Sequence, residues 1–238
     1  MKLELFKEII DQAVGKIEFV SLASRGEPMI CPQISEMLEY TVGKFLNLKI
    51  NTNASLLNEK KIHAILAGGV KTLVISADAA DKNLYKKFRV NGELEKVVRN
   101  LELFNKIKQN NYSKSKIITR VSGVKFSEDQ KFDDMKKFWG GLVDQVAFVD
   151  YNPWENSYEK EKNDIIKPCS DLWRRMFIWW DGKVNPCDTD YKSMLSLGNI
   201  KSLNIKEIWK SKKYSEYRNH HLKNDRNKLY PCKNCVVT

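Results

Sequence analysis

Over the first 150 residues, short apolar runs alternate with helix-patterned stretches, and this alternation constrains the chain more than any other feature. The runs at 17–22, 48–50, 72–76, 116–121 and 145–149 are rich in Val, Ile, Leu and Phe and too short for buried helices, so they read as strands. Between them apolar residues recur at helical spacing. Phe6, Ile9, Ile10 and Ala13 form one such set, and Leu94, Val97, Val98, Leu101 and Phe104 another. A helix is predicted within 33–44, and a further one starts near Asn58, carries Ile62, Ile65 and Leu66, and stops at Gly68-Gly69. Ser127-Glu128-Asp129-Gln130 is a capping box for a helix ending at Gly140-Gly141. Strand and helix in strict alternation predict βα units, hence a parallel sheet with helices outside. Such sheets bind ligands beyond the carboxyl ends of their strands. The polar residues just after the apolar runs are therefore the candidates: Gly26, Glu27, Asn51, Asn53, Ser76, Asp78, Arg120 and Asp150. Each alone is a common turn or cap residue. Their recurrence at every strand end is what points to a site.

The pattern changes after residue 150. Asp150-Tyr151-Asn152-Pro153-Trp154 leads into the charged stretch 159–164, which reads as a linker, and a cysteine-bearing module follows. Cys169 and Cys187 flank a strand–turn–strand pattern over 176–187, with Asp181-Gly182 as its turn. Cys232 and Cys235 form a C-x-x-C knuckle after Pro231. Four thiolates can hold one zinc ion or one iron–sulfur cluster, and spacing does not separate the two. The bland readings are a redox dithiol and buried apolar cysteines. Trp173, Trp179, Trp180 and Trp209 are read as packing for this small module, and His220 and His221 as a solvated helix end.

Composition closes off several classes. Five cysteines in 238 residues are too few for a secreted disulfide scaffold and favour a reducing compartment. The amphipathic start is no signal peptide and no apolar run approaches a membrane span, so a cytoplasmic protein with no membrane partner is expected. The net charge of +11 permits an acidic partner. It is interleaved with 30 acidic residues and has no Arg-rich run, which disfavours a nucleic-acid partner.

The module after Pro168 resembles the SPASM or "twitch" auxiliary-cluster domain of radical S-adenosylmethionine enzymes. Cys169, Gly182 and Cys187 meet that family's C-x(9–15)-G-x(4)-C element, and Leu197-Gly198-Asn199-Ile200, Ile208-Trp209, Arg218 and Pro231-Cys232-Lys233-Asn234-Cys235 follow in its order. Upstream, Gly26-Glu27-Pro28 resembles the family's Gly-Gly-Glu-Pro loop, Asn51-Thr52-Asn53 its Thr-Asn-Gly strand end, and Ile75-Ser76-Ala77-Asp78 its Ser-x-Asp strand end. The resemblance implies an α/β fold: a partial (β/α)6 barrel lacking its first strand over 1–155, and a small cysteine-rich α+β auxiliary module over 156–238. It implies S-adenosylmethionine binding, with Glu27 on the methionyl ammonium and Ser76, Asn53 and Arg120 on ribose or carboxylate. It also implies one auxiliary [4Fe–4S] cluster on Cys169, Cys187, Cys232 and Cys235, a small-molecule or peptide substrate, and a flavodoxin- or ferredoxin-like reductant. In two respects the chain departs from the pattern. The family's C-x(3)-C-x(2)-C, which holds the catalytic cluster, is absent, since Cys31 is the only cysteine before Cys169, and Arg25 replaces the first glycine of the loop. A truncated barrel is the expectation, with S-adenosylmethionine binding incomplete and no cleavage by this chain alone. Its alternative is a non-catalytic scaffold with a structural four-cysteine zinc.

Overall fold

The computed structural model describes residues 1–153, 157–159 and 164–236; Trp154 and positions 160–163 of the expected linker lie outside them. Packing divides the chain into two compact units, Val14–Tyr151, and Asn152–Thr238 together with Met1–Ala13.

The Val14–Tyr151 unit is built on five strands, β1 (Phe19–Leu22), β2 (Asn47–Thr52), β3 (Thr72–Ser76), β4 (Ile118–Lys125) and β5 (Gln145–Asp150). They lie side by side in sequence order, all parallel. An order that never reverses is that of a β/α barrel rather than of a doubly wound sheet. Helices α2 (Ile34–Tyr40), α3 (Glu59–Ala67), α4 (Lys82–Phe88), α5 (Leu94–Asn111) and α6 (Phe132–Gly140) make the return connections. Alternation along the strands sends Leu48, Ile50, Leu73, Ile75 and Val121 into one core with Leu38, Ile62, Ile65, Leu101, Phe104 and Trp139 of the helices. The alternate residues form the other face. Register places Asn51 beside Val74, Arg120 and Gln145, and in the next row Ser76 beside Ser122 and Ala147.

The expected start and stop of α3 hold because caps fix them, whereas the Ser127–Gln130 capping box closes a short 3-10 turn, Glu128–Gln130, and α6 begins only after Lys131. Asn58 accepts a hydrogen bond from the Lys61 N–H at the start of α3, and Gly68 closes that helix. Two local differences have physical causes. Helix α4, for which the sequence reading has no counterpart, starts because the Asp81 carboxylate caps the N–H groups of Asn83 and Leu84. Strand β4 continues four residues past the expected 121 because Gly123 lets it pass close to its neighbours. A Cβ there would lie 2.8 Å from the Ala77 carbonyl and 3.2 Å from the Phe148 ring.

In the second unit, α1 (Leu3–Ala13) is joined by α7 (Asp171–Arg174), α8 (Ile205–Trp209) and α9 (Lys212–Leu222). Its antiparallel sheet comprises β6 (Phe177–Ile178), β7 (Lys183–Asn185) and β8 (Gly198–Asn199). The turn between β6 and β7 falls at Asp181-Gly182, where Gly182 takes the left-handed φ of +89°. Leu172, Val184, Leu197, Ile200, Ile208, Tyr214 and Leu229 make the core. The sequence division at 155/156 grouped the first helix with the barrel. Here Leu5 and Ile9 of α1 pack on the module core, and the Ile205 N–H donates to Gln12 Oε1 at 2.8 Å. An amphipathic helix goes where its apolar stripe is covered.

Candidate functional site

The first candidate site lies at the carboxyl end of β2. Gly26 has a φ of +112° with open space around its Cβ position, so conformation and not room requires glycine there. The turn it allows delivers the Glu27 carboxylate to the strand end. Glu27 Oε1 accepts from the Met29 N–H at 3.0 Å and from the Thr52 hydroxyl at 2.6 Å, and Oε2 accepts from the Asn53 N–H at 2.7 Å. Three neutral donors fix both oxygens without cancelling the charge, which leaves a pre-positioned anion. Asn53 contributes through its main chain. Its Oδ1 is engaged by the N–H and hydroxyl of Ser55 at 2.9 and 2.7 Å.

The other expected residues separate. Ser76 ends β3 on the face opposite the helices and pairs with Ser122. Arg120 shares that face one row earlier, because β4 runs on to Lys125; its Nε and Nη2 donate to Gln145 Oε1 at 2.9 and 2.6 Å. In the same row Asn51 holds a buried side-chain oxygen without a partner among the described residues. Asp78 is turned into the protein: it is 3% exposed, its Oδ2 pairs with Arg89 Nη2 at 2.6 Å, and its Oδ1 accepts from the Val124 N–H at 2.8 Å. With both oxygens so committed, Asp78 latches β3 to β4. Asp150 is exposed and pairs with Lys125 at 3.1 Å. Thr52 is the functional residue the strand-end reading passed over, although it stands inside the polar run 51–53.

The second candidate site is built from thiols. Cys169 lies two residues before α7, Cys187 follows β7, and Cys232 and Cys235 belong to one tight turn in which the Cys235 N–H donates to the Cys232 carbonyl at 3.3 Å. All are free. Burial, with Cys232 and Cys235 adding to it, raises the Cys187 thiol well above the ordinary 9.0. Burial and then Cys235 push Cys232 up to about 12. Burial also raises Cys169, with a smaller contribution from Cys235. The four sulfurs are thus one electrostatic group. Among the described residues no three His, Cys, Asp or Glu side chains are placed to hold a single ion. As a donor set, four thiolates fit a four-iron cluster, and the same chemistry suits zinc.

Two buried groups back the thiols. Arg226, 1% exposed, donates from Nη1 to the Lys167 carbonyl at 3.1 Å and from Nη2 to the Cys235 carbonyl at 3.0 Å. His221, fully buried, accepts the Cys169 N–H on Nδ1 at 3.1 Å. This corrects the reading of His221 as solvated. Tyr214, Tyr217 and His221 are the buried residues of α9, and their three- and four-residue spacing was the available signal. Burial, then the nearby Arg226, lowers the imidazole to about 4, so at neutral pH it is uncharged. The tryptophan reading also needs amendment: Trp209 packs on the module core, but Trp180 is 70% exposed at the hairpin tip.

Comparison with known proteins identifies the family. The model of the radical SAM superfamily matches residues 1–138, and that of the SPASM iron–sulfur cluster-binding domain matches residues 169–236. An AdoMet-dependent heme synthase of Methanosarcina barkeri is 26% identical over 144 residues, 60% of this chain and 40% of that protein. An S-adenosyl-L-methionine-dependent 2-deoxy-scyllo-inosamine dehydrogenase of Niallia circulans is 22% identical over 246 residues, 97% of this chain and 78% of that protein. The chain therefore spans less than half of the first relative and about four fifths of the second. Among solved structures, anSMEcpe with bound AdoMet superposes with a TM-score of 0.69 at 15% identity, covering 99% of this chain and 76% of that one, a likeness of fold.

Proposed function

Because the chain belongs to the radical SAM superfamily and carries its SPASM cluster-binding domain, we propose that residues 14–151 form the S-adenosylmethionine-binding part of a radical enzyme. Residues 152–238 then carry one auxiliary [4Fe–4S] cluster on Cys169, Cys187, Cys232 and Cys235. When bound, S-adenosylmethionine and a reduced catalytic cluster supply hydrogen-atom abstraction from the substrate. This chain's residues supply position. Glu27 takes the methionyl ammonium in a charge-assisted bond, with Thr52 and the Asn53 N–H keeping the carboxylate aimed. Ser76 and Arg120 offer donors to ribose or carboxylate. Asp78, engaged by Arg89 and Val124, acts on the fold instead. With all four thiolates on the auxiliary cluster no iron is left open to substrate, which suits electron acceptance or shaping of the pocket.

The observation that carries the reading is the fixed Glu27 carboxylate at the end of β2. The matching experiment is calorimetric titration of the anaerobically reconstituted chain with S-adenosylmethionine. A charge-assisted bond contributes about 1.5–3 kcal/mol, so Glu27→Gln weakens binding roughly tenfold or more. Equal affinity in the variant, or no binding by the parent chain, overturns the reading. Iron and sulfide analysis tests the second half: about four of each per chain are expected, against one zinc and no sulfide for a scaffold.

Two further outcomes follow. With four of its five cysteines on the auxiliary cluster, the 238-residue chain lacks a second set of thiolates. Reconstituted and reduced, it forms no 5′-deoxyadenosine above a protein-free control; chromatographic detection of that product would sink the assignment of these thiols. Loading is also pH-dependent, because the thiols are held protonated by burial, Cys232 up to about 12, and ligation must expel those protons. Apparent affinity therefore rises from pH 7 to pH 9, read as iron retained against a fixed chelator. A flat profile would contradict buried thiol ligands.

A substrate of small-molecule or peptide type and a reductant of flavodoxin or ferredoxin type complete the proposal. Among the described residues no helix is long and apolar enough to cross a membrane. Five cysteines, none in a disulfide among the described residues, support a cytoplasmic setting.

A further inference from the structure

We propose that Arg226 and His221 form a positively polarised, hydrogen-bond-donating wall that sets the reduction potential of the auxiliary cluster. The proposal rests on the cluster assignment above and adds to it two residues that are not ligands.

The geometry is specific. Arg226 spans the two halves of the ligand set: one Nη grips the Lys167 carbonyl, two residues before Cys169, and the other grips the carbonyl of Cys235 itself. The guanidinium, 1% exposed, is therefore fixed by main-chain bonds beside the thiols rather than reaching in from solvent. A cluster ligated by four thiolates is a net anion whose charge grows when it takes up an electron. A fixed cation next to it favours the reduced form more than the oxidised one.

His221 adds a directional donor. Its Nδ1 accepts the Cys169 N–H, so the ring proton sits on Nε2. Nε2 is fully buried and has no partner among the described residues. A ring whose other nitrogen is tied to a ligand cysteine, and which keeps an unused buried N–H, is matched to a sulfur acceptor. Hydrogen bonds to cluster sulfurs and local net charge are the established levers on iron–sulfur potentials. Both residues act in the same direction, raising the potential and making the cluster a better electron acceptor.

The test uses the full chain reconstituted anaerobically, with iron and sulfide counted before an electron-paramagnetic-resonance redox titration. Because only one cluster is assigned to this chain, its signal is unmixed. Arg226→Gln is expected to keep its iron while the reduced-to-oxidised ratio at the parent's midpoint falls about tenfold, about 59 mV more negative for a one-electron couple. Arg226→Lys recovers most of that shift, and His221→Phe shifts the same way by less. Unmoved midpoints in fully loaded Arg226→Gln and His221→Phe overturn the proposal. So does loss of loading in both Arg226 variants, which would make Arg226 a folding residue. A parent chain holding zinc without sulfide would instead remove the cluster assignment itself, an outcome distinct from either.

Discussion

Replacing Cys187 by serine empties the auxiliary site: iron and sulfide fall from about four of each per chain to background, and the module melts well below the loaded parent. The size of the effect follows from how little else holds the module together. Its core is one small cluster around Val184, Ile208 and Tyr214, and its sheet strands are two or three residues long. Such a unit buries too small a fraction of its surface to be secure alone, so the cluster acts as the staple. Structural metal sites on thiolates contribute on the order of 10 kcal/mol to folding. Cys187 is the sensitive position because it joins β7 to the loop organised by Asp190. That fully buried carboxylate accepts the Tyr158 hydroxyl and the N–H groups of Met194 and Leu195 at 2.9 and 2.8 Å. Serine keeps the size of the side chain and removes the soft ligand, so steric disruption does not explain the loss. The cluster-free parent should melt with the variant, since both lack the same staple. A Cys187→Ser chain that retains four irons would show that Cys187 is not a ligand.

The sheet and the thiol set were both legible in the sequence, for different reasons. Strand positions follow from apolar runs, and the helix after β2 is marked by the cap at Asn58. The thiol set follows from residue chemistry that allows few alternatives. What could not be read was orientation. Asp78 and Glu27 are both carboxylates just past an apolar run, and the chain alone does not tell that one faces Arg89 and the other the end of β2. Arg120 was read at a strand end, whereas β4 continues to Lys125 through Gly123. His221 was lost because charge around it masked the helical spacing that buries it.

The orientation of Asp78 leads to the largest expected effect in the first unit. Asp78→Ala leaves the Arg89 guanidinium without its partner at 2.6 Å and the Val124 N–H without its acceptor. Breaking a buried pair from one side costs about 3–5 kcal/mol; with Arg89 still 30% exposed, solvent relieves part of this, and about 3 kcal/mol is expected. For a domain of this size that lowers the melting temperature by roughly 10 °C. Removing both charges, as in Asp78→Leu with Arg89→Met, should recover much of the loss, because the penalty lies in the orphaned partner rather than in the missing attraction. The same carboxylate also separates latch from ligand. If Asp78 acts on the fold, the Asp78→Ala chain binds S-adenosylmethionine with near-parental affinity well below its melting temperature, while Glu27→Gln melts normally and binds weakly. The opposite pattern, a stable Asp78→Ala chain that has lost its ligand, would return Asp78 to the binding site and show that the Arg89 pair opens when the ligand enters.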